Sequence, residues 1–205
     1  MPLWLVLALV LAIPSQRHWV DIDSGTQRIA EDKLSELQRD GDVRSGHAAP
    51  DFKNAQLDQP LYYYADDAGF ASLASDPSDD LMPYLSQRNA IYPVVVENKA
   101  IGVLLFKSSL GKTCYFGPVP PGIYADYREA LRRVRLERDQ RLSIAATRGG
   151  DYLMVEDGTT IYRMAPCTTR TLLMLGLDNQ HVDDFKFVDP KELVPLIKRA
   201  MRGGE

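Results

Sequence analysis

Ile91-Tyr92-Pro93-Val94-Val95-Val96-Glu97 is followed by Asn98-Lys99 and then by Ile101-Gly102-Val103-Leu104-Leu105-Phe106-Lys107. β-Branched and aromatic residues fit a pleated, half-buried surface, and a polar pair between two such runs reads as a hairpin turn. Ser108-Ser109-Leu110-Gly111 makes a second turn into Lys112-Thr113-Cys114-Tyr115-Phe116-Gly117. Together these runs predict a three-stranded antiparallel meander. Gly111-Lys112-Thr113 also matches the end of a phosphate-binding loop. That motif needs its first glycine where Phe106 stands and a helix where Cys114 to Gly117 read as strand, so Gly111 is a turn glycine.

Downstream, Pro120-Pro121-Gly122 breaks the sheet and introduces a helix from Ile123 to Asp139, with Ile123, Tyr127, Ala130, Leu131 and Val134 on its apolar stripe. Arg128, Arg132, Arg133, Arg135 and Arg138 are interleaved with Asp126, Glu129, Glu137 and Asp139, the pattern of a solvated face with mutual ion pairs. A second meander follows. Arg141 to Thr147 alternates, Arg148-Gly149-Gly150 turns, Tyr152 to Val155 returns, and Asp157-Gly158 signals a hairpin into Thr159 to Met164. The repeated order, three strands and a helix, is either an internal repeat or one continuous antiparallel sheet, and the sheet is the favoured reading. Pro166 to Leu177 reads as a short helix capped by Thr168 or Thr169 and ended by Gly176. Phe185 to Val188 reads as a last short strand. Asp189-Pro190-Lys191-Glu192 opens a final helix whose apolar face is Leu193, Leu196, Ile197 and Met201.

Upstream, Pro60 to Ala65 reads as a strand with Tyr62 and Tyr64 on one face. Asp66 to Asn89 is an acidic loop with one or two helical turns, Gly41 to Pro50 is a linker, and Thr26 to Asp40 is an amphipathic helix. Asp21-Ile22-Asp23-Ser24-Gly25 fails as a calcium loop, because Thr26 and Asp32 stand where that motif needs Gly and Glu. Leu3 to Ile13 is an apolar run of a length that suits a secretory signal and is too short to span a bilayer, although Met1-Pro2 lacks a basic side chain. The expected organisation is a signal over 1–15, a helix and linker over 16–50, and one α+β domain over 51–202. Its antiparallel sheet consists of two three-stranded meanders, with helices packed on one face.

With 28 acidic against 24 basic residues, the chain lacks the charge of a general nucleic-acid binder. Its two cysteines, Cys114 and Cys167, are too few for a disulfide scaffold or a four-cysteine zinc site. Export permits a bond between them that contributes about 3–4 kcal/mol in the chain-entropy model, and two separate buried thiols are the alternative. His18, His47 and His181 form no zinc pair, and neither a nucleophile elbow nor a dinucleotide loop is present. One catalytic alternative remains, a small hydrolase with Cys167 as nucleophile and His181 as its base.

Gln59-Pro60-Leu61-Tyr62, Tyr92 to Lys99 and Gly111-Lys112 together resemble uncharacterised secreted bacterial proteins of a pro-domain-like or PepSY-like kind. In those proteins a Trp often follows the Lys, whereas Thr113 and Cys114 stand here. The resemblance spans Asp51 to Leu196 in layout and implies neither an activity nor catalytic residues. The reading is therefore an exported, periplasmic or secreted, cofactor-free binding or accessory protein. It has no membrane span after leader removal, and its partner is another protein or a cell-envelope component. Aromatic density places the binding groove at Tyr62, Tyr64, Tyr92 and Tyr115.

Overall fold

The computed structural model describes residues 18–40, 51–65, 73–85, 87–107, 113–117, 123–147, 150–177 and 186–202. The apolar run Leu3 to Ile13 expected to be a signal, the expected linker at 41–50 and His181 lie outside them. The strands are β1 (His18–Trp19), β2 (Gln56–Leu57), β3 (Leu61–Ala65), β4 (Gln87–Val96), β5 (Lys99–Phe106), β6 (Cys114–Gly117), β7 (Arg141–Thr147), β8 (Gly150–Glu156) and β9 (Ile161–Pro166). Among the described residues the helices are α1 (Ser24–Asp40), α2 (Ile123–Arg133), α3 (Thr169–Leu175) and α4 (Pro190–Arg202), with a 3₁₀ turn at Met82–Tyr84. The two expected meanders, β4–β6 and β7–β9, are present in one α+β sheet of order β6-β5-β4-β3-β7-β8-β9. β3 joins them, antiparallel to β4 and parallel to β7. β1 and β2 each pair with β4 as well.

Strand alternation sorts the core into two layers. Ala90, Tyr92, Val94, Leu104 and Phe106 pack under α1 through Ala30, Leu34 and Leu37. On the same face, Tyr64, Ala145, Tyr152, Met154 and Met164 pack under Leu193, Val194 and Ile197 of α4. The opposite face presents Leu61, Ile91, Val103, Leu142, Ile144, Leu153 and Val155 to Tyr124, Tyr127 and Ala130 of α2. The helices therefore cover both faces, where the sequence reading placed them on one. The connection from the edge strand β6 back to β7 must cross β5, β4 and β3, and α2 makes that crossing on the face that α1 leaves open.

Local chemistry explains most element boundaries. Asp23 caps α1 reciprocally: its Oδ1 accepts from Thr26 N at 2.8 Å, and its own N–H donates to Thr26 Oγ1 at 3.0 Å. Thr168 Oγ1 accepts from Thr171 N at 3.1 Å to start α3, which Gly176 ends at φ 69°. Asp189 Oδ1 accepts from Lys191 N at 2.8 Å at the start of α4. In the last turns of α4, Lys198 is buried, and its Nζ donates to the carbonyls of Asp76 (2.9 Å) and Ser78, with Asp79 Oδ1 at 3.4 Å. Those contacts tie the 73–80 loop to the helix. The last predicted strand is reduced to one bridge, Val188 against Met164.

The β4–β5 turn differs from expectation by one residue. A bulge between Val94 and Val95 shifts the register, so Val96 pairs with Lys99 and the turn residues are Glu97 and Asn98, at φ 49° and 64°. Left-handed backbone at both positions is the type I′ geometry, which Asn tolerates and Glu does not favour. Glu97→Asn is expected to stabilise the protein by about 0.5–1 kcal/mol, seen as a rise of about 1–4 °C in thermal melting.

Candidate functional site

The four tyrosines singled out from the sequence do not line one groove. Tyr92 is fully buried in β4 under α1, its hydroxyl 2.8 Å from Thr26 Oγ1. Tyr64 is fully buried beneath α4. Tyr62 accepts a hydrogen bond from Ile22 N at 3.1 Å, and the Arg88 and Arg141 guanidinium carbons each lie 4.4 Å from its ring centroid. Tyr115 pairs with Leu105 on the opposite face. Alternation along β3 does place Tyr62 and Tyr64 together, but a segment and a helix distant in sequence cover that face.

The two cysteines are free thiols. Cys114 belongs to β6 and Cys167 follows β9, at the two ends of the seven-strand order. Six strand spacings of about 4.8 Å place them on the order of 25–30 Å apart. A bridge needs Cα atoms within about 7 Å, so the expected bond is not formed. Nor is Cys167 poised as a nucleophile. It is 1% exposed, and burial, then the carboxylates of Asp151 and Asp126, push its thiol far above the ordinary range. Burial raises Cys114 to about 12 as well. Among the described residues, no group of three His, Cys, Asp or Glu side chains is placed to hold a metal ion.

The structure instead brings together residues that the sequence reading had assigned to a turn and a solvated helix face. A cleft of about 1020 Å³ opens between α2 and the rim formed by Asp58-Gln59 and Asn98-Lys99-Ala100. The groove-facing side of α2 is Tyr124, Tyr127, Arg128, Leu131 and Arg132, neighbours at helical spacing. Arg128 bridges the walls: Nη1 donates to Asn98 O at 3.0 Å, and Nε lies 3.5 Å from Asp58 Oδ2. Asp58 Oδ2 also accepts from the Tyr124 hydroxyl, and Oδ1 accepts from Gln59 N at 2.8 Å. Burial opposes ionisation of Asp58, but these donors outweigh it and hold its carboxyl below the ordinary value. At neutral pH, Asp58 is thus an acceptor.

Lys99 and Arg132 stand exposed at the mouth. Arg132 pairs with Glu129 at 2.5 Å and Arg133 pairs with the same carboxylate at 2.6 Å. The lining therefore carries Lys99, Arg128 and Arg132 against Asp58, with Glu129 pairing Arg132 from beside the groove. The sequence reading missed this site for a definable reason. Its α2 stripe included Tyr127 and Leu131 but omitted Tyr124 and Arg128, which complete the i, i+3, i+4, i+7 face.

Compared with known proteins, the chain matches no family model, no curated protein and no solved structure. Among the described residues, no helix is long and apolar enough to cross a membrane.

Two measurements follow from these geometries. Protein unfolded and alkylated without reduction is expected to gain two alkyl groups by intact mass; a gain of none would show a Cys114–Cys167 bond. The second concerns Asp126 in the first turn of α2, where desolvation raises the carboxyl to about 6. Its unfolded value is lower, so the native state holds the proton more tightly. The stability this contributes is complete below about pH 4 and lost as pH rises through 6. Asp126→Asn is therefore expected to gain stability relative to the parent between pH 4 and pH 7 in denaturant titrations.

Proposed function

We propose that the protein is a binding or accessory protein that acts outside the cytoplasm and takes its partner, a protein or a cell-envelope component, in the α2 groove. The observation that carries this reading is the clamp by Arg128. One guanidinium holds the Asp58 loop and the β4–β5 turn to the same helix, so the walls are set before any partner arrives. A preset site loses less conformational entropy on binding than one that must be ordered. Its size also suits a ligand, at the upper end of the few hundred to about a thousand Å³ typical of such clefts. Export rests on the apolar run Leu3 to Ile13, and the same intact-mass measurement reads it as loss of about the first fifteen residues.

The test places a photo-crosslinking residue at position 59 and exposes the protein to fractionated cell envelope. Saturable adducts are expected. Arg128→Ala should lower their yield about tenfold, the loss of a charge-assisted contact plus the wall it positions. An equal yield from a folded Arg128→Ala protein would sink the groove as the binding site.

A further inference from the structure

The groove combines three kinds of polar group that no simple ligand uses together. Its mouth carries Lys99 and Arg132, both exposed; Arg132 is paired with Glu129, so an incoming anion shares that guanidinium with a carboxylate. Its rim offers the amides of Gln59 and Asn98, which donate and accept. Its wall holds Asp58, ionised and acceptor-only, engaged by Tyr124, Gln59 N and Arg128 yet still 28% exposed.

A plain anion would be repelled by Asp58 and would leave the amides idle. A neutral sugar would satisfy the amides and Asp58 through its hydroxyl groups and leave the cations unused. A hydrophobic peptide would cover the apolar part of the lining, Ala100 and Leu131 among it, but would bury Asp58 and the amides of Gln59 and Asn98 without offering them partners. A polyhydroxylated ring that carries one anionic group uses the whole set. We propose that the groove binds an anionic sugar, with its carboxylate or phosphate between Lys99 and Arg132 and its hydroxyl groups donating to Asp58 and bonded to Gln59 and Asn98. This assignment rests on the groove being the binding site, and it specifies the chemistry of the envelope component.

Calorimetric or NMR titration of the folded protein with glucuronate, glucose 6-phosphate, glucose, acetate and inorganic phosphate tests it. One of the two anionic sugars is expected to bind at least tenfold more tightly than glucose, acetate or phosphate. Which one binds identifies the anion as carboxylate or phosphate. Lys99→Gln with Arg132→Gln should bring the anionic sugar down to the level of glucose. Gln59→Ala should weaken it severalfold without changing the response to acetate or phosphate. Glucose binding as tightly as both acids would overturn the proposal, as would acetate or phosphate matching the sugar acids. If none of the five binds while position 59 still crosslinks in an Arg128-dependent way, the sugar assignment fails and the groove stands. If crosslinking is lost too, both fall.

Discussion

Glu156 is completely buried on the α4 side of the sheet, and the join between the two meanders depends on how its charge is met. Arg141, its cross-strand neighbour, donates from Nε at 2.6 Å and from Nη2 at 3.2 Å, and Gly158 N–H donates to the same carboxylate. Arg141 then covers the ring of Tyr62, whose centroid also faces Arg88, and Arg88 reaches Trp19 (4.1 Å to the ring centroid) and Asp21 (2.5 Å). The column crosses β8, β7, β3 and β4 and ends on the segment that leads into α1. A buried charge stripped of its partner costs about 3–5 kcal/mol, so each member constrains the next. Gly158 belongs to the same constraint. Its φ of 93° favours glycine, and a Cβ there would lie 2.6 Å from Arg141 Nη2.

That join has a consequence on the other face. Because β3 lies between β4 and β7, the chain leaving β6 must travel across three strands before it can continue the sheet. α2 makes that crossing, and its Tyr124, Tyr127 and Ala130 are buried against the layer of Leu61, Ile91 and Val103. The buried stripe fixes the helix rotation, which turns Arg128 toward Asp58 and Asn98. The cleft is thus a product of topology: one wall is the crossing helix and the other is the loop and turn at the margin of the sheet it crosses.

Aromatic side chains divide their work accordingly. Tyr92 meets Phe106 edge-on at 5.5 Å and Phe52 meets Phe116 at 5.0 Å, beneath α1. The Phe116 ring lies over Gly102, where a Cβ would come within 2.2 Å of it. These rings supply core area. Tyr92 adds a hydroxyl contact to Thr26 Oγ1, and Tyr62 and Tyr124 likewise use their hydroxyl groups, one to accept from Ile22 N and one to donate to Asp58. Aromatic density alone does not separate the two uses, because both occur on strands and helices of similar pattern.

The sequence by itself determined the elements that depend on near neighbours. The β4–β5 hairpin, the second meander, the Asp23, Thr168 and Asp189 caps and the Gly176 helix end all follow from residues a few positions apart, whose steric and hydrogen-bonding preferences act locally. Tertiary structure alone decided what depends on long-range pairing. The Val94/Val95 bulge moved the hairpin turn by one residue, β3 entered between the meanders, α2 took the face opposite α1, and the cysteines were carried to opposite ends of the sheet. An apolar stripe states that a helix buries one side, but not against which face of which sheet. Arg128 has a solvated pattern in sequence and becomes the clamp of a cleft only because the crossing places Asp58 and Asn98, 70 and 30 residues away, within its reach.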